Sequence, residues 1–164
     1  MKVDFQYAEP KDLERIVKTY NSTVASRLVT ADLAEVSVES KKEWFNAHSA
    51  SRRPLWIVMC DNHYAGWMSF NSFYGRPAYD ATVEVSIYLE EQFREKGLGR
   101  ICLQKAIDVA PGLNIQNLLG FIFGHNTASL KLFAAFDFKE WACLPEIANL
   151  DGTLRDLIIV GKKI

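Results

Sequence analysis

Apolar and polar side chains alternate strictly from Thr82 to Leu89. Val83, Val85, Ile87 and Leu89 fall on one side, and Glu84, Ser86 and Tyr88 on the other. That period of two predicts a strand with one face in a core. Val3–Tyr7 alternates in the same way. The runs Leu55–Cys60 and 64–70 are β-rich and are joined by Asp61-Asn62-His63, a tight-hairpin signal; the Gly- and Pro-containing segment 71–80 reads as a loop. Helical spacing appears elsewhere. Leu13, Ile16, Val17 and Tyr20 share one face of a helix opened by Glu9-Pro10. A second helix is predicted over 38–48, with Glu39 near its start and Trp44 and Phe45 as apolar anchors. A third covers 97–110, where Leu98, Ile101, Cys102, Ala106 and Val109 form a stripe that Pro111-Gly112 ends. Residues 118–123 are a continuous apolar run suited to a buried strand. Residues 126–136 read as a fourth helix, and 138–143 and 154–160 as closing strands. The predicted fold class is α/β (α+β): one mixed sheet of about seven strands flanked by about four helices. It is not the strict βαβ alternation of a dinucleotide-binding fold.

Composition narrows the picture. With 164 residues, 49% of them apolar, the chain fills one core, so a single domain over 1–164 is expected. Nineteen basic residues against twenty acidic ones leave a net charge of −1, which offers no general attraction to nucleic acid or to a membrane surface. Any anion must be held locally. No apolar run reaches the roughly 20 residues that span a bilayer, and the start lacks the layout of a signal peptide. A cytoplasmic location is the expectation. Cys60, Cys102 and Cys143 are widely spaced among apolar neighbours and read as buried packing thiols. His48, His63 and His125 show no metal-ligand spacing, so no metal is expected.

The chemistry concentrates after the Thr82–Leu89 strand. Arg94-Glu95-Lys96-Gly97-Leu98-Gly99-Arg100 lies between that strand and the third helix. Glycines there let backbone N–H groups converge on an anion, and the helix N-terminus adds about half a positive charge. A Gly-x-Gly alone also marks a plain tight turn. Three cations around a helix start favour a polyanion, and the spacing is neither a Walker loop nor a Rossmann fingerprint.

This strand followed by Arg-x-x-Gly-x-Gly and a helix resembles the pyrophosphate-holding motif of the GCN5-related N-acetyltransferases. Asn126-Thr127-Ala128-Ser129, with Leu132-Phe133 and Phe136-Asp137-Phe138, is similar to the family's Asn-x-x-Ser helix. The segment from Gly75-Arg76-Pro77-Ala78-Tyr79 through Thr82-Val83-Glu84 resembles the phosphinothricin and methionine sulfoximine acetyltransferase branch, as does Tyr20-Asn21. The resemblance spans essentially the whole chain. It implies an acetyl-CoA-dependent N-acetyltransferase that acetylates the amine of a small amino-acid-like molecule. It implies cofactor contacts from Ile87, Tyr88, Leu89, Arg94, Glu95, Lys96, Gly97, Leu98, Gly99, Arg100, Asn126 and Ser129. It implies Glu84 as general base in a direct transfer, and Arg76, Tyr79 and Thr82 as acceptor contacts, with Arg76 gripping a carboxylate. The branch is commonly dimeric, so a homodimer is the matching expectation.

Read without the resemblance, Glu84 is a solvated or ion-paired strand residue, Arg76 a solvated loop charge, and Asn126 a helix cap. Two departures stand out. Asp137 replaces the family's usual glycine, although Asp tolerates a left-handed conformation. Phe133 occupies the position of a tyrosine thought to protonate the leaving thiolate. Two other readings stay open: acetylation of a protein or peptide, and a non-catalytic coenzyme A-binding module, which would have no need of Glu84.

Overall fold

The computed structural model describes residues 1–164. Its strands are β1 (Val3–Tyr7), β2 (Leu55–Cys60), β3 (His63–Ser72), β4 (Thr82–Leu89), β5 (Asn117–Phe123), β6 (Lys139–Leu150) and β7 (Thr153–Lys163). Its helices are α1 (Leu13–Val24), α2 (Lys42–Asn46), α3 (Leu98–Val109) and α4 (Thr127–Ala134). All seven strands join one sheet in the order β1-β2-β3-β4-β5-β7-β6. Every neighbouring pair is antiparallel except β4 and β5, which are parallel.

That parallel pair shapes the molecule. β4 and β5 are paired only at Thr82–Asn117, Val83–Leu118 and Glu84–Leu119. From Val85 onward β4 has no ladder partner on that side, so the sheet opens as a wedge. Alternation on β4 then sorts side chains between two layers. Val83 and Val85 enter the main core with Leu98, Cys102, Leu103 and Ala106 of α3. Tyr88 instead packs with a smaller cluster made by Ile16, Leu55, Ile57 and Trp67 beneath α1 and α2. Ile16 is almost fully buried, and burying such a side chain contributes about 1.5–3 kcal/mol.

Several elements differ in extent from the sequence expectation, each for a local reason. Residues 10–12 form a 3-10 turn ahead of α1, because the Asp12 carboxylate accepts from Glu9 N–H at 2.7 Å and sets a capping box there. α2 shrinks to five residues behind a 3-10 turn at Glu39–Lys41, and it buries none of its side chains fully. β6 and β7 run well beyond 138–143 and 154–160. A register shift between Leu144 and Ala148 absorbs Pro145 and the left-handed Glu146 (φ 55°), which interrupt the apolar pattern. The hairpin after β2 turns on Asp61 and Asn62, both at positive φ, as its composition predicts. Asp137 takes the left-handed conformation (φ 63°) just past α4. Cys60 and Cys102 are buried, but Cys143 is exposed, because β6 is the outer edge of the sheet. No helix is long and apolar enough to cross a membrane.

Candidate active site

Two cavities meet on the polar face of β4. The smaller, about 300 Å³, lies between α1, the segment leading into α2, and the sheet. The larger, about 860 Å³, fills the wedge between β4 and β5 and reaches the start of α3 and the face of α4. Glu84, Ser86 and Tyr88 line both. Alternation on one strand has therefore placed three polar side chains at the junction of two chambers.

The larger chamber carries the signature of an anion site. The backbone N–H groups of Glu95, Lys96, Gly97, Leu98 and Gly99 have no acceptor within the protein. Gly97 is the N-cap of α3 at φ 85°, with no side-chain cap, so the helix N-terminus is left open. Beside it, Arg94 Nε donates to Leu89 O at 2.9 Å, which ties the loop back to β4. Its Nη2 is buried with no partner. A buried guanidinium nitrogen and a row of free N–H groups match a pyrophosphate in charge and in donor count. The residues present fit coenzyme A.

The other expected cofactor contacts divide. Ile87, Leu89, Glu95, Gly99, Asn126 and Ser129 all line the chamber. Asn126 also caps α4, accepting from Ser129 N–H at 3.2 Å while donating to Leu28 O at 3.3 Å, so the capping reading holds for its side chain. Lys96, Gly97, Leu98 and Arg100 lie outside the lining. The Leu98 side chain is core, and the Arg100 guanidinium sits 5.0 Å from the Phe136 ring centroid.

Glu84 has no ion pair and no hydrogen bond to protein, which removes the ion-pair reading. Burial without compensation pushes its carboxyl up to about 7. Thr82 accepts from Asn117 Nδ2 at 2.9 Å on the paired side of β4, away from both chambers. Arg76 and Tyr79 are exposed and line neither. Tyr79 packs edge-on with Phe73, at 5.5 Å between centroids.

Sequence reasoning missed the walls of the smaller chamber. Tyr20, Trp44, Trp67 and Asn71 line it, as does Lys41. Trp67 stacks on Tyr88 at 4.6 Å and meets Trp44 edge-on at 5.4 Å. The Tyr20 hydroxyl bonds to Thr30 and Asp32, pinning the irregular segment after α1. Asn71 Oδ1 accepts from Trp44 Nε1 at 3.2 Å and meets His48 Nε2 at 3.2 Å. Its Nδ2 donates to Ser69 and Ser86 hydroxyls at 3.1 and 3.3 Å. Trp67, Ser69 and Asn71 alternate along β3 opposite Tyr88, Ser86 and Glu84. That second alternation is the signal that could have found them.

The acetyltransferase (GNAT) family model matches residues 17–138. A protein of Bacillus subtilis (strain 168) named "Putative phosphinothricin acetyltransferase YwnH" is 51% identical over 158 residues, covering 96% of each chain. The crystal structure of a protein described by the same activity is 50% identical, covers 99% of this chain and 98% of its own, and superposes with a TM-score of 0.94. A GNAT superfamily phosphinothricin acetyltransferase from Sinorhizobium meliloti, solved in complex with acetyl-CoA, shares the fold at 22% identity. It covers 100% of this chain and 89% of its own, with a TM-score of 0.92.

Proposed function

The chain belongs to the acetyltransferase (GNAT) family, and on that premise we propose that it moves the acetyl group of acetyl-CoA onto the amine of a small amino-acid-like acceptor, of the phosphinothricin or methionine sulfoximine type, with Glu84 as general base. The observation that carries this is the unpaired Glu84 carboxylate where the two chambers meet. The wedge chamber supplies the anion site that suits coenzyme A. The smaller one, about 300 Å³, is at the low end of ligand pockets and suits a free amino acid better than a peptide.

The chemistry follows from the placement. An ammonium ion has no lone pair, so Glu84 takes one proton, directly or through a water. The amine then forms a C–N bond to the acetyl carbonyl carbon and the thioester C–S bond breaks, releasing the coenzyme A thiolate. Phe133 lines the chamber and cannot protonate that thiolate, which is a good leaving group near neutral pH and takes its proton from solvent or from the amine. A base near 7 is half ionised at neutral pH and well matched to the transfer. A module that only bound coenzyme A would gain nothing from an unpaired, half-buried carboxylate, which costs stability.

The test is acetyl-CoA consumption across a panel of amines that includes methionine sulfoximine and phosphinothricin. Turnover by the parent with a loss of about 10²–10⁴-fold in kcat for Glu84→Gln supports the reading. Parental kcat in the variant refutes Glu84 as base, and no acetylation of any amine refutes the acceptor class.

A further inference from the structure

Lys41 offers an assignment that the motifs did not suggest. It is the only basic residue lining the smaller chamber, and Glu84 is the only acidic one. Neither has an ion-pair partner; Lys42, the neighbour, is the residue paired with Glu39. Lys41 is half-buried, with its ammonium 5.4 Å from the Tyr20 ring centroid. Tyr20, Trp44, Trp67 and Tyr88 line the same chamber. Arg76, the cation that the family resemblance implies as an acceptor contact, lies exposed and outside the lining.

We propose that Lys41 is the residue that reads the acceptor's anionic group, so that the smaller chamber selects amines carrying a carboxylate and an apolar or planar side chain. The proposal rests on the reading of this chamber as the acceptor site. Two opposite charges lining one chamber, neither with an ion-pair partner, match a zwitterion's two ends: the amine at Glu84 and the anion at Lys41. The aromatic walls supply area for the side chain and exclude water around both charges, which strengthens each contact. An ammonium on a flexible stem suits an anion whose distance from the amine varies, so Lys41 discriminates by charge rather than by a fixed bidentate geometry.

The experiment compares L-methionine sulfoximine, its carboxamide and its decarboxylated amine, with the parent, Lys41→Met, Lys41→Arg and Arg76→Ala. Turnover is measured with acetyl-CoA. Binding is followed separately by tryptophan fluorescence in the presence of coenzyme A, since Trp44 and Trp67 line the chamber. Lys41→Met is expected to raise KM for the acid by about tenfold or more and to erase the preference for acid over carboxamide, with kcat and the KM for acetyl-CoA little changed. Lys41→Arg retains the preference, and so does Arg76→Ala. Should Lys41→Met keep the parental preference, or Arg76→Ala abolish it, the assignment fails even if turnover stands. Lys41-dependent binding of the acid without turnover supports Lys41 and overturns the proposed reaction instead. Equal affinity of the parent for all three compounds overturns the assignment.

Discussion

Asn71 lies directly across the antiparallel β3–β4 ladder from Glu84, and its amide is held at both ends by Trp44, Ser69 and Ser86. A fixed neutral amide beside a half-buried carboxylate adds no like charge, so desolvation alone sets how far Glu84 is raised. Asn71→Asp keeps the shape and the acceptor for Trp44 Nε1 while adding a negative charge at cross-strand distance. It is expected to push Glu84 further up and to move the acid limb of kcat/KM upward by about one pH unit. An unmoved limb in a folded variant means that the group titrating in the profile is not Glu84.

Arg94 links the loop before α3 to the strand through Leu89 O while one guanidinium nitrogen has no partner. A phosphate oxygen would satisfy that nitrogen, and a charge-assisted hydrogen bond is worth about 1.5–3 kcal/mol. Arg94→Met is therefore expected to weaken coenzyme A binding by about 10–100-fold in calorimetry, and to reduce the rise in melting temperature that coenzyme A produces. Undiminished affinity would place the pyrophosphate away from this loop.

The fold was legible wherever a period was long and uninterrupted. The alternation on β4 and the stripe on α3 each name their own buried face, and the hairpin residues Asp61 and Asn62 name their turn. β6 and β7 were foreshortened in the sequence because a bulge around Pro145 and Glu146 hides strand continuity. The open helix start at Gly97 was readable from the local glycines. The smaller chamber was not, since its lining comes from α1, the approach to α2, β3 and β4; only the β3–β4 register puts Asn71 beside Glu84. The resemblance of segment 75–84 implies Arg76 as an acceptor contact, whereas the residue read by itself is a solvated loop charge, and the 3-10 turn Pro77–Tyr79 leaves it on the surface.

The two glycines of the loop act differently. A Cβ on Gly97 would meet open space, but the backbone there is left-handed at φ 85°, so Gly97→Ala is expected to cost about 1 kcal/mol of stability in denaturant unfolding. A Cβ on Gly99 would come within 3.1 Å of Leu132 Cδ2 while Gly99 lines the larger chamber. Gly99→Val is therefore expected to weaken acetyl-CoA binding by about 1–3 kcal/mol, the scale of a lost hydrogen bond to a charged group. Unchanged affinity in a folded Gly99→Val protein would remove α3's start from the site.

Glu84 ties catalysis to stability through one quantity, its raised pKa. In the unfolded chain the carboxyl titrates near 4.5, and in the folded protein near 7. Between those values the folded state holds a proton that the unfolded state has released, so this group's contribution to stability is full below pH 4.5 and is lost as pH rises to 7. Replacing Glu84 by Gln removes the titration while keeping a polar side chain of the same shape. The stability of Glu84→Gln relative to the parent should therefore climb across that window, by on the order of 2 kcal/mol once partial exposure is allowed for, and stay level above it. Urea unfolding at several pH values measures this without substrate. The same ionisation should appear in the parent as a rise of kcat/KM through pH 7, and the variant's defect should shrink as pH approaches the pKa of the acceptor amine. A flat stability difference across the window would mean that Glu84 is solvated rather than buried, and the case for it as a base tuned to neutral pH would fall with it.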